Sequence, residues 1–440
     1  MNSSRHLSLL NLMNFIRHKL KNGIRVITVP HAETAAVTVL ALYEVGSRYE
    51  TAALSGASHF IEHMMFKGTR RRPTTLDISR DLDSVGADYN AFTAKDYTGY
   101  YIKLQSGRLS LAVDMLDDMI YHSAYRAKDI NSERQVILEE LRMYEDNPMM
   151  LVEELVEEEL YGGSPLGQRI GGTVQSVSAL RREALMAYRD KYYVPSRTVL
   201  AVAGRFDETE MQQLLNQKFG STKANGQPRS YQRFDLAKAG YRAPRVRVHE
   251  RDTEQVQAAI MFPAFGYGDR RLAALKVLAI ILGGTMSSRL FTTVREREGL
   301  CYYIRAYPNS YQDIGDFSIQ AGLSKDRVER ALQLIIHELS LIKSKPVTAE
   351  ELRRAKEYIK GKTLLSLEDS SHQADWFAKQ ELLTRTIATP EQRLALIETV
   401  TRDEVQQVAR EIFRANRLSL AIIGPYKDDK MFRDALTELK

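Results

Sequence analysis

Two histidines and a glutamate occur within five residues near the start of the chain, in the sequence His-Phe-Ile-Glu-His at positions 59–63. On a helix, His59 and His63 are one turn apart and share a face. Two imidazoles placed in this way can bind one zinc ion, and Glu62 beside them can take a proton from a water molecule. In a chain of this composition, about 0.02 such motifs are expected by chance. The motif therefore predicts a catalytic zinc site rather than an ordinary pair of surface or core histidines.

The residues around the motif predict the helix that must position it. Ser55 can cap its start, Gly68 can end it, and the residues between the two histidines are partly apolar. A catalytic zinc site also needs a third protein ligand and an open position for water. A helix predicted over 129–145 offers three candidates for this ligand, and spacing alone does not choose among them. The candidates are Glu133, Glu139 and Glu140.

The chain repeats itself at an offset of 220 residues, which is half its length of 440. Residues 181–204 and 401–424 align without a gap, and each predicts a helix, a short break and an apolar strand that ends in glycine. Two further pairs of segments correspond in the two halves: a strand and helix at 101–121 and 317–343, and a capped helix at 129–141 and 348–360. This pattern predicts two similar halves in which strands alternate with long helices.

Composition excludes several classes of protein. Hydrophobic residues make up 44% and charged residues 27%, as in globular proteins. No apolar run reaches 18 residues, so no membrane-spanning helix is predicted. The net charge of +6 is modest, and basic residues cluster only at 70–72, so we expect no nucleic acid partner. Cys301 is the only cysteine, which excludes an internal disulfide and a multi-cysteine zinc cluster.

The N-terminal segment allows two interpretations. Residues 1–32 contain no acidic residue, as in an organellar transit peptide. However, residues 20–26 already predict a turn that leads into a strand, so little remains to serve as a leader. Met13 is a second possible start. We therefore expect a cytoplasmic protein with an extended N-terminus, and an organellar matrix is the less favoured location.

The chain resembles the M16 family of zinc metallopeptidases, which includes insulin-degrading enzyme, pitrilysin and the mitochondrial processing peptidase. The family signature is His-x-x-Glu-His followed, after 76 residues, by a glutamate, and residues 64–139 separate His63 from Glu140. The resemblance implies that His59, His63 and Glu140 bind one zinc ion per chain and that Glu62 is the general base. It also implies that Glu133, seven residues before the third ligand, supports the site.

The resemblance extends to the second half and to the substrate. Family members carry an arginine and a tyrosine seven residues apart that reach the scissile carbonyl, which Arg295 and Tyr302 match here. A family edge strand that pairs with the substrate backbone is matched by a segment that includes Asn90, Ala91, Phe92 and Thr93. The resemblance further implies a homodimer.

The predicted fold is α+β. Two homologous α/β-sandwich halves, each a mostly antiparallel sheet with helices packed on it, are joined by a linker and enclose a cavity. We expect a zinc-binding catalytic domain at 1–219, a linker at 220–247, and a domain at 248–440 that supplies the Arg/Tyr pair.

The predicted activity is zinc-dependent endopeptidase cleavage of peptides or unfolded polypeptide segments. One alternative is a non-catalytic assembly or chaperone-like subunit on the same fold. Another is a subunit that binds basic presequences through an acidic run, although such a run is more often a solvated helix face. The run comprises Glu153, Glu154, Glu157, Glu158 and Glu159.

Overall fold

A computed structural model describes residues 14–223 and 230–439. The possible start at Met13 and any leader before it lie outside the described residues. The strands are β1 (Ile16–Lys19), β2 (Arg25–Pro30), β3 (Ala36–Tyr43), β4 (Asp88–Thr93), β5 (Thr98–Gln105), β6 (Thr198–Gly204), β7 (Arg245–Glu250), β8 (Gln255–Ala264), β9 (Cys301–Ser310), β10 (Gly315–Ser324) and β11 (Ser419–Gly424).

Helices make up most of the remaining regular structure, and none of those in the described ranges is long and apolar enough to cross a membrane. A short π-helical segment, Phe291–Arg297, precedes β9. The α-helices are α1 (Ala57–Met64), α2 (Thr75–Asp83), α3 (Leu109–His122), α4 (Ala127–Asp146), α5 (Pro148–Tyr161), α6 (Val174–Ala179), α7 (Arg182–Tyr192), α8 (Glu208–Lys218), α9 (Leu272–Leu282), α10 (Val328–Ser344), α11 (Ala349–Ser366), α12 (Ser370–Leu383), α13 (Pro390–Thr399), α14 (Arg402–Ile412) and α15 (Lys430–Leu436).

Each of two compact units contains one sheet. In the first unit the strand order is β1-β2-β6-β3-β5-β4, and in the second it is β7-β11-β8-β10-β9. One pair in each sheet, β2 with β6 and β7 with β11, is parallel, and the other pairs are antiparallel. Apart from β1, the two orders correspond strand for strand. The predicted fold of two homologous halves with mostly antiparallel sheets is therefore confirmed.

The sequence repeat appears as matching elements. The pair α7 and β6 occupies the first copy of the repeated segment, and α14 and β11 occupy the second. In both cases the strand lies in the interior of its sheet and is buried along its whole length. The apolar ends of the repeated segments therefore form buried interior strands of the two sheets.

The compact units do not follow a single cut through the chain. Of the described residues, the first unit contains those up to Leu141, those within Arg169–Tyr231 and Thr363–Arg393, and the second contains Arg142–Gln168, Gln232–Lys362 and those from Leu394 onward. Each half of the sequence thus contributes a helix to the other unit. Within the predicted linker at 220–247, residues 230–244 form no helix or strand, and β7 already begins at Arg245.

The exchanged helices cover one face of each sheet. Helix α12 buries Ala374, Phe377 and Leu382 against β2, β3 and β6 in the first unit. Helix α5 buries an apolar face against β8 and β11 in the second unit. The other face of each sheet carries the larger core, which includes α1 and α3 in the first unit and α9 and α10 in the second.

The acidic run lies on α5, and several of its carboxylates bind side chains of the second unit. The Glu153 carboxylate accepts hydrogen bonds from Arg305 and from the hydroxyl of Tyr307. Glu158 pairs with Arg247 at 2.5 Å, and the Tyr311 hydroxyl donates to Glu157 at 3.1 Å. These contacts fasten α5 to its own sheet, so at least three of the five carboxylates have a structural role.

Beneath α5, Asp316 is a fully buried carboxylate. It accepts hydrogen bonds from Asn309 at 2.9 Å, from Ser318 at 3.0 Å and from the hydroxyl of Tyr161 at 3.1 Å. Burial, together with the nearby charge of Glu157, raises its pKa from 3.8 to about 7. The folded chain therefore keeps a proton on Asp316 that the unfolded chain loses at a lower pH.

Replacing Asp316 tests whether its raised pKa makes the stability of the chain depend on pH. Because the pKa of Asp316 is raised in the folded state, the free energy of unfolding of the wild type should fall as the pH rises from about 4 to about 7. The contribution of this group is at most about 1.4 kcal/mol per pH unit. Asp316→Asn should flatten that dependence, measured as urea unfolding midpoints across the range. Asp252→Asn is the matched control, since the Asp252 side chain is 92% exposed. Parallel pH profiles for Asp316→Asn and the wild type would contradict the interpretation.

Candidate active site

Helix α1 carries His59, Glu62 and His63, and helix α4 carries Glu133 and Glu140. The apolar residues of α1, Phe60, Ile61 and Met64, are fully buried in the larger core of the first unit. This packing orients the opposite side of α1, with its two histidines, toward α4.

The start of α1 differs from the sequence prediction. Its N-cap is Gly56, which has φ 89°, and Ser55 provides no side-chain cap. A Cβ on Gly56 would lie 2.7 Å from the carbonyl oxygen of Gly171, so only glycine fits this position. The predicted Ser55 cap is therefore wrong, because the acceptor for the first N–H groups comes from Glu50 instead. The helix also ends at Met64, before Gly68.

Three potential ligand atoms converge between the two helices. The Nε2 atoms of His59 and His63 are 3.1 Å apart, and Oε2 of Glu140 lies 3.7 Å from the first and 3.5 Å from the second. A tetrahedral zinc ion with bonds of 2.0–2.1 Å requires ligand atoms about 3.3 Å apart. Two imidazole nitrogens and one carboxylate oxygen are also a donor set that zinc uses in catalytic sites. In both spacing and chemistry, His59, His63 and Glu140 fit a zinc ion.

Glu133 holds the second nitrogen of His63 rather than joining the three converging atoms. Its Oε1 lies 2.9 Å from Nδ1 of His63, and its Oε2 lies 2.5 Å from the ammonium of Lys67. Although burial opposes ionisation, these hydrogen bonds hold the pKa of Glu133 below its usual value. An ionised Glu133 accepts the Nδ1 proton of His63 and leaves the Nε2 lone pair facing Glu140 and His59.

The two histidines differ in the direction of their pKa shifts and in the hydrogen bonding of their Nδ1 atoms. Burial, followed by the neighbouring His63, lowers the pKa of His59 to about 3, so its imidazole is neutral. For His63, burial acts in the same direction, but the bond to Glu133 and the surrounding carboxylates outweigh it and raise the pKa. Nδ1 of His59 is buried and has no hydrogen-bond partner among the described residues. No side chain therefore orients His59 through Nδ1 in the way that Glu133 orients His63.

Glu62 is held by the strand at the edge of the first sheet. The hydroxyl of Thr93 donates to Oε2 of Glu62 at 2.5 Å. Burial raises the pKa of Glu62, while this hydrogen bond and His63 act in the opposite direction. A carboxylate with a raised pKa is a stronger base at neutral pH, which suits proton transfer.

Strand β4 is the edge strand of its sheet, where the sequence resemblance places substrate pairing. The side chains of Ala91 and Thr93 face α1, whereas Phe92 packs on the opposite face beside Tyr97, where α12 lies. Asn90 is exposed, and its side-chain oxygen accepts from the N–H of Ala91 at 2.9 Å. On the α1 side of the strand, only the backbone of Phe92 is therefore available to contact a substrate.

Arg295 and Tyr302 lie in the second unit. Arg295 belongs to the π-helical segment, and its guanidinium lies 4.7 Å from the ring centre of Phe291 and 5.9 Å from that of Tyr302. The Tyr302 side chain is 72% exposed at the start of β9. The two residues are thus neighbours, and Tyr302 does not belong to the core of its unit.

The sequence analysis missed two residues that hold parts of the site, Lys67 through Glu133 and Glu50 through the start of α1. Lys67 follows His59 and His63 at the same four-residue interval, and this spacing was the available signal for its contact with Glu133. Glu50 had no such signal, since it precedes α1 by seven residues.

Comparisons with known proteins identify the family of the chain. The family model described as Insulinase (Peptidase family M16) matches residues 25–174, which include the converging ligands, and the Peptidase M16 inactive domain matches residues 179–359, which include Arg295 and Tyr302. An uncharacterized zinc protease of Streptomyces coelicolor is 38% identical over 424 residues, covering 95% of this chain and 91% of its own. The chain belongs to the M16 peptidase family.

A second relative and two solved structures extend the comparison. The uncharacterized zinc protease YmxG of Bacillus subtilis is 33% identical over 93% of this chain and 98% of its own. A solved structure of a protease from Helicobacter pylori shares the fold with a TM-score of 0.88 at 22% identity, covering 94% of this chain and 99% of that chain. A structure from Pseudomonas fluorescens, described as a peptidase M16 inactive domain, has a TM-score of 0.86 at 18% identity, with 94% and 99% covered.

Zinc titration of glutamate variants tests the third ligand. Glu140→Gln should weaken zinc binding by a factor of about 100 or more, because an amide oxygen carries no charge and is a poor zinc ligand. Glu139→Gln is the matched control, since Glu139 is the exposed neighbour on the same helix. Glu133→Gln should give an intermediate loss through the orientation of His63. Equal zinc affinity of the Glu140 and Glu139 variants, measured against a competing chelator, would refute the assignment.

Proposed function

We propose that this M16 protein is a zinc-dependent endopeptidase. The observation that carries the proposal is the convergence of His59, His63 and Glu140 beside Glu62, a carboxylate that is not one of the converging ligands. In the proposed site, these three residues hold one zinc ion per chain and Glu62 is the general base. The naming of its relatives as zinc proteases supports the same function.

In this mechanism, zinc supplies Lewis-acid chemistry, which makes a water more acidic and polarises a carbonyl group. Glu62 accepts the proton of the attacking water and later delivers it to the leaving amine. Thr93 keeps the Glu62 carboxylate in one orientation through its hydroxyl. Glu133 keeps the proton of His63 on Nδ1, so that the Nε2 atom remains available as a ligand.

The proposed substrate is a peptide or an unfolded polypeptide segment. An edge strand can pair only with an extended backbone, and β4 lies at the sheet edge with Thr93 in contact with Glu62. By family resemblance, Arg295 and Tyr302 would stabilise the oxyanion of the transition state. A homodimer, an enclosing chamber and a cytoplasmic location stay predictions from the sequence.

Replacing the general base tests the mechanism directly. Glu62→Gln should retain zinc and stability but lose nearly all turnover, because an amide cannot accept the proton of the water. Cleavage of a peptide library, followed by mass spectrometry, measures the loss, and Glu139→Gln should remain active. Turnover near the wild-type level in Glu62→Gln would end this mechanism.

The same assay separates the peptidase from a non-catalytic subunit. A peptidase cleaves the library with stoichiometric zinc and loses activity when zinc is removed by a chelator. A subunit that only binds peptides would retain them uncleaved in both conditions. The intact ligand set favours the first outcome.

Tyr302→Phe tests the contribution of the second unit. The side chain is mostly exposed, so removing its hydroxyl should cost little stability. If the hydroxyl stabilises the oxyanion, single-turnover cleavage should slow by about 10² with zinc content unchanged. A wild-type rate in this variant would show that the family role does not transfer to Tyr302. Thermal unfolding of the same sample serves as the control for folding.

A further inference from the structure

The first turn of α1 is held by the side chain of Glu50, which lies six residues before Gly56. Oε2 of Glu50 accepts the N–H of Gly56 at 2.7 Å, and its Oε1 accepts the N–H of Ser58 at 2.6 Å. Glu50 is only 3% exposed. One buried side chain therefore satisfies two of the backbone donors that a helix N-terminus leaves unpaired.

Three other helices are capped by the threonine at their own N-terminus. Thr74, Thr173 and Thr401 each accept an N–H from the helix that they begin, and each belongs to a reciprocal capping box. Such a threonine cap avoids the cost of removing a charge from water. Helix α1 instead buries an ionisable carboxyl group, and this burial raises the pKa of Glu50 to about 8.

Glu50 belongs to a buried cluster of four ionisable residues, which we call the anchor cluster: Arg48, Glu50, Lys95 and Asp96. Arg48 pairs with Asp96 at 2.8 Å, and the N–H of Arg48 donates to the carbonyl of Lys95 at 3.1 Å. The N–H of the preceding Ser47 donates to the carbonyl of Ala94 at 3.2 Å. The segment that carries Glu50 is thus fastened to the turn that follows β4.

The anchor cluster connects two parts of the candidate site. On one side, Glu50 holds Ser58, the residue immediately before His59. On the other side, Arg48 and Asp96 hold the turn directly after Thr93, the residue that donates to Glu62. Nδ1 of His59 has no hydrogen-bond partner among the described residues, so no carboxylate orients its ring as Glu133 orients that of His63, and the placement of the α1 backbone matters more for His59.

We propose that Glu50 is a positioning residue of the zinc site, which holds the start of α1 in register with α4 and with the turn after Thr93. The inference rests on the proposed zinc site and adds a residue to its support. A small movement of α1 would displace both histidines from Glu140 together, because they lie on one rigid helix. Zinc affinity should therefore respond to Glu50 even though Glu50 is not one of the converging ligands.

Two variants test this role. Glu50→Gln preserves side-chain size, but its amide group can accept only one of the two N–H donors. Glu50→Asp preserves the carboxyl group with its two acceptor oxygens but has a shorter reach, so it should fold even if the first variant does not. Zinc affinity is measured by competition with a chromophoric chelator, at a temperature where circular dichroism shows each variant folded. Both variants should bind zinc about tenfold more weakly or worse.

Glu381→Gln is the matched control. Glu381 is a buried carboxylate of the same unit, on α12, and pairs with Arg17 at 2.9 Å and Arg25 at 3.4 Å. Its loss should lower thermal stability and leave zinc affinity at the wild-type value. At saturating zinc, the folded Glu50 variants should show a lower kcat, because Glu62 is displaced, with KM nearly unchanged.

The outcomes are distinct. Wild-type zinc affinity in the folded Glu50 variants, with only a loss of stability like that of Glu381→Gln, would overturn the inference and leave the proposed function intact. A wild-type chain that binds no zinc would overturn both. Weakened zinc binding in the Glu50 variants, with turnover unaffected by Glu62→Gln, would support the positioning role and refute the proposed general base.

Discussion

The constraint on which the site depends is the distance between three atoms on two separate helices. Nε2 of His59, Nε2 of His63 and Oε2 of Glu140 must remain within a few tenths of an ångström of the spacing that a small tetrahedral ion requires. Helix α1 has only eight residues, and isolated helices of that length are unstable in water. Its position must come from tertiary contacts, which are the buried apolar side and the hydrogen bonds to Glu50.

The two units share a sheet topology, but the candidate zinc chemistry lies in only one of them. In the first unit, α1 follows β3 and carries both histidines. In the second unit, α9 occupies the same place after β8, and its sequence, Leu-Ala-Ala-Leu-Lys-Val-Leu-Ala-Ile-Ile-Leu, contains no histidine or acidic residue. The same scaffold thus supports a polar ligand-bearing helix in one unit and an almost wholly apolar helix in the other.

The sequence predicted the elements well and their long-range contacts less well. Apolar periodicity and the repeat indicated α7, β6, α14 and β11, because local pattern determines such elements. Spacing could not choose between Glu133 and Glu140, which share a face of α4, since only tertiary contacts direct one to Nδ1 of His63 and the other to Nε2. For the same reason, an amphipathic pattern could not reveal that α5 and α12 pack in exchanged units.

The charges around His63 favour a cation at this place. Glu62, Glu133 and Glu140 surround the two imidazoles, and Lys67 is already paired with Glu133. In this field the pKa of His63 is raised despite burial, so the surroundings favour positive charge at its ring. A proton on Nε2 would supply that charge but would remove the lone pair directed at Glu140 and His59. A divalent cation supplies the charge and uses the lone pair, so the same carboxylates that attract a proton also favour a metal ion.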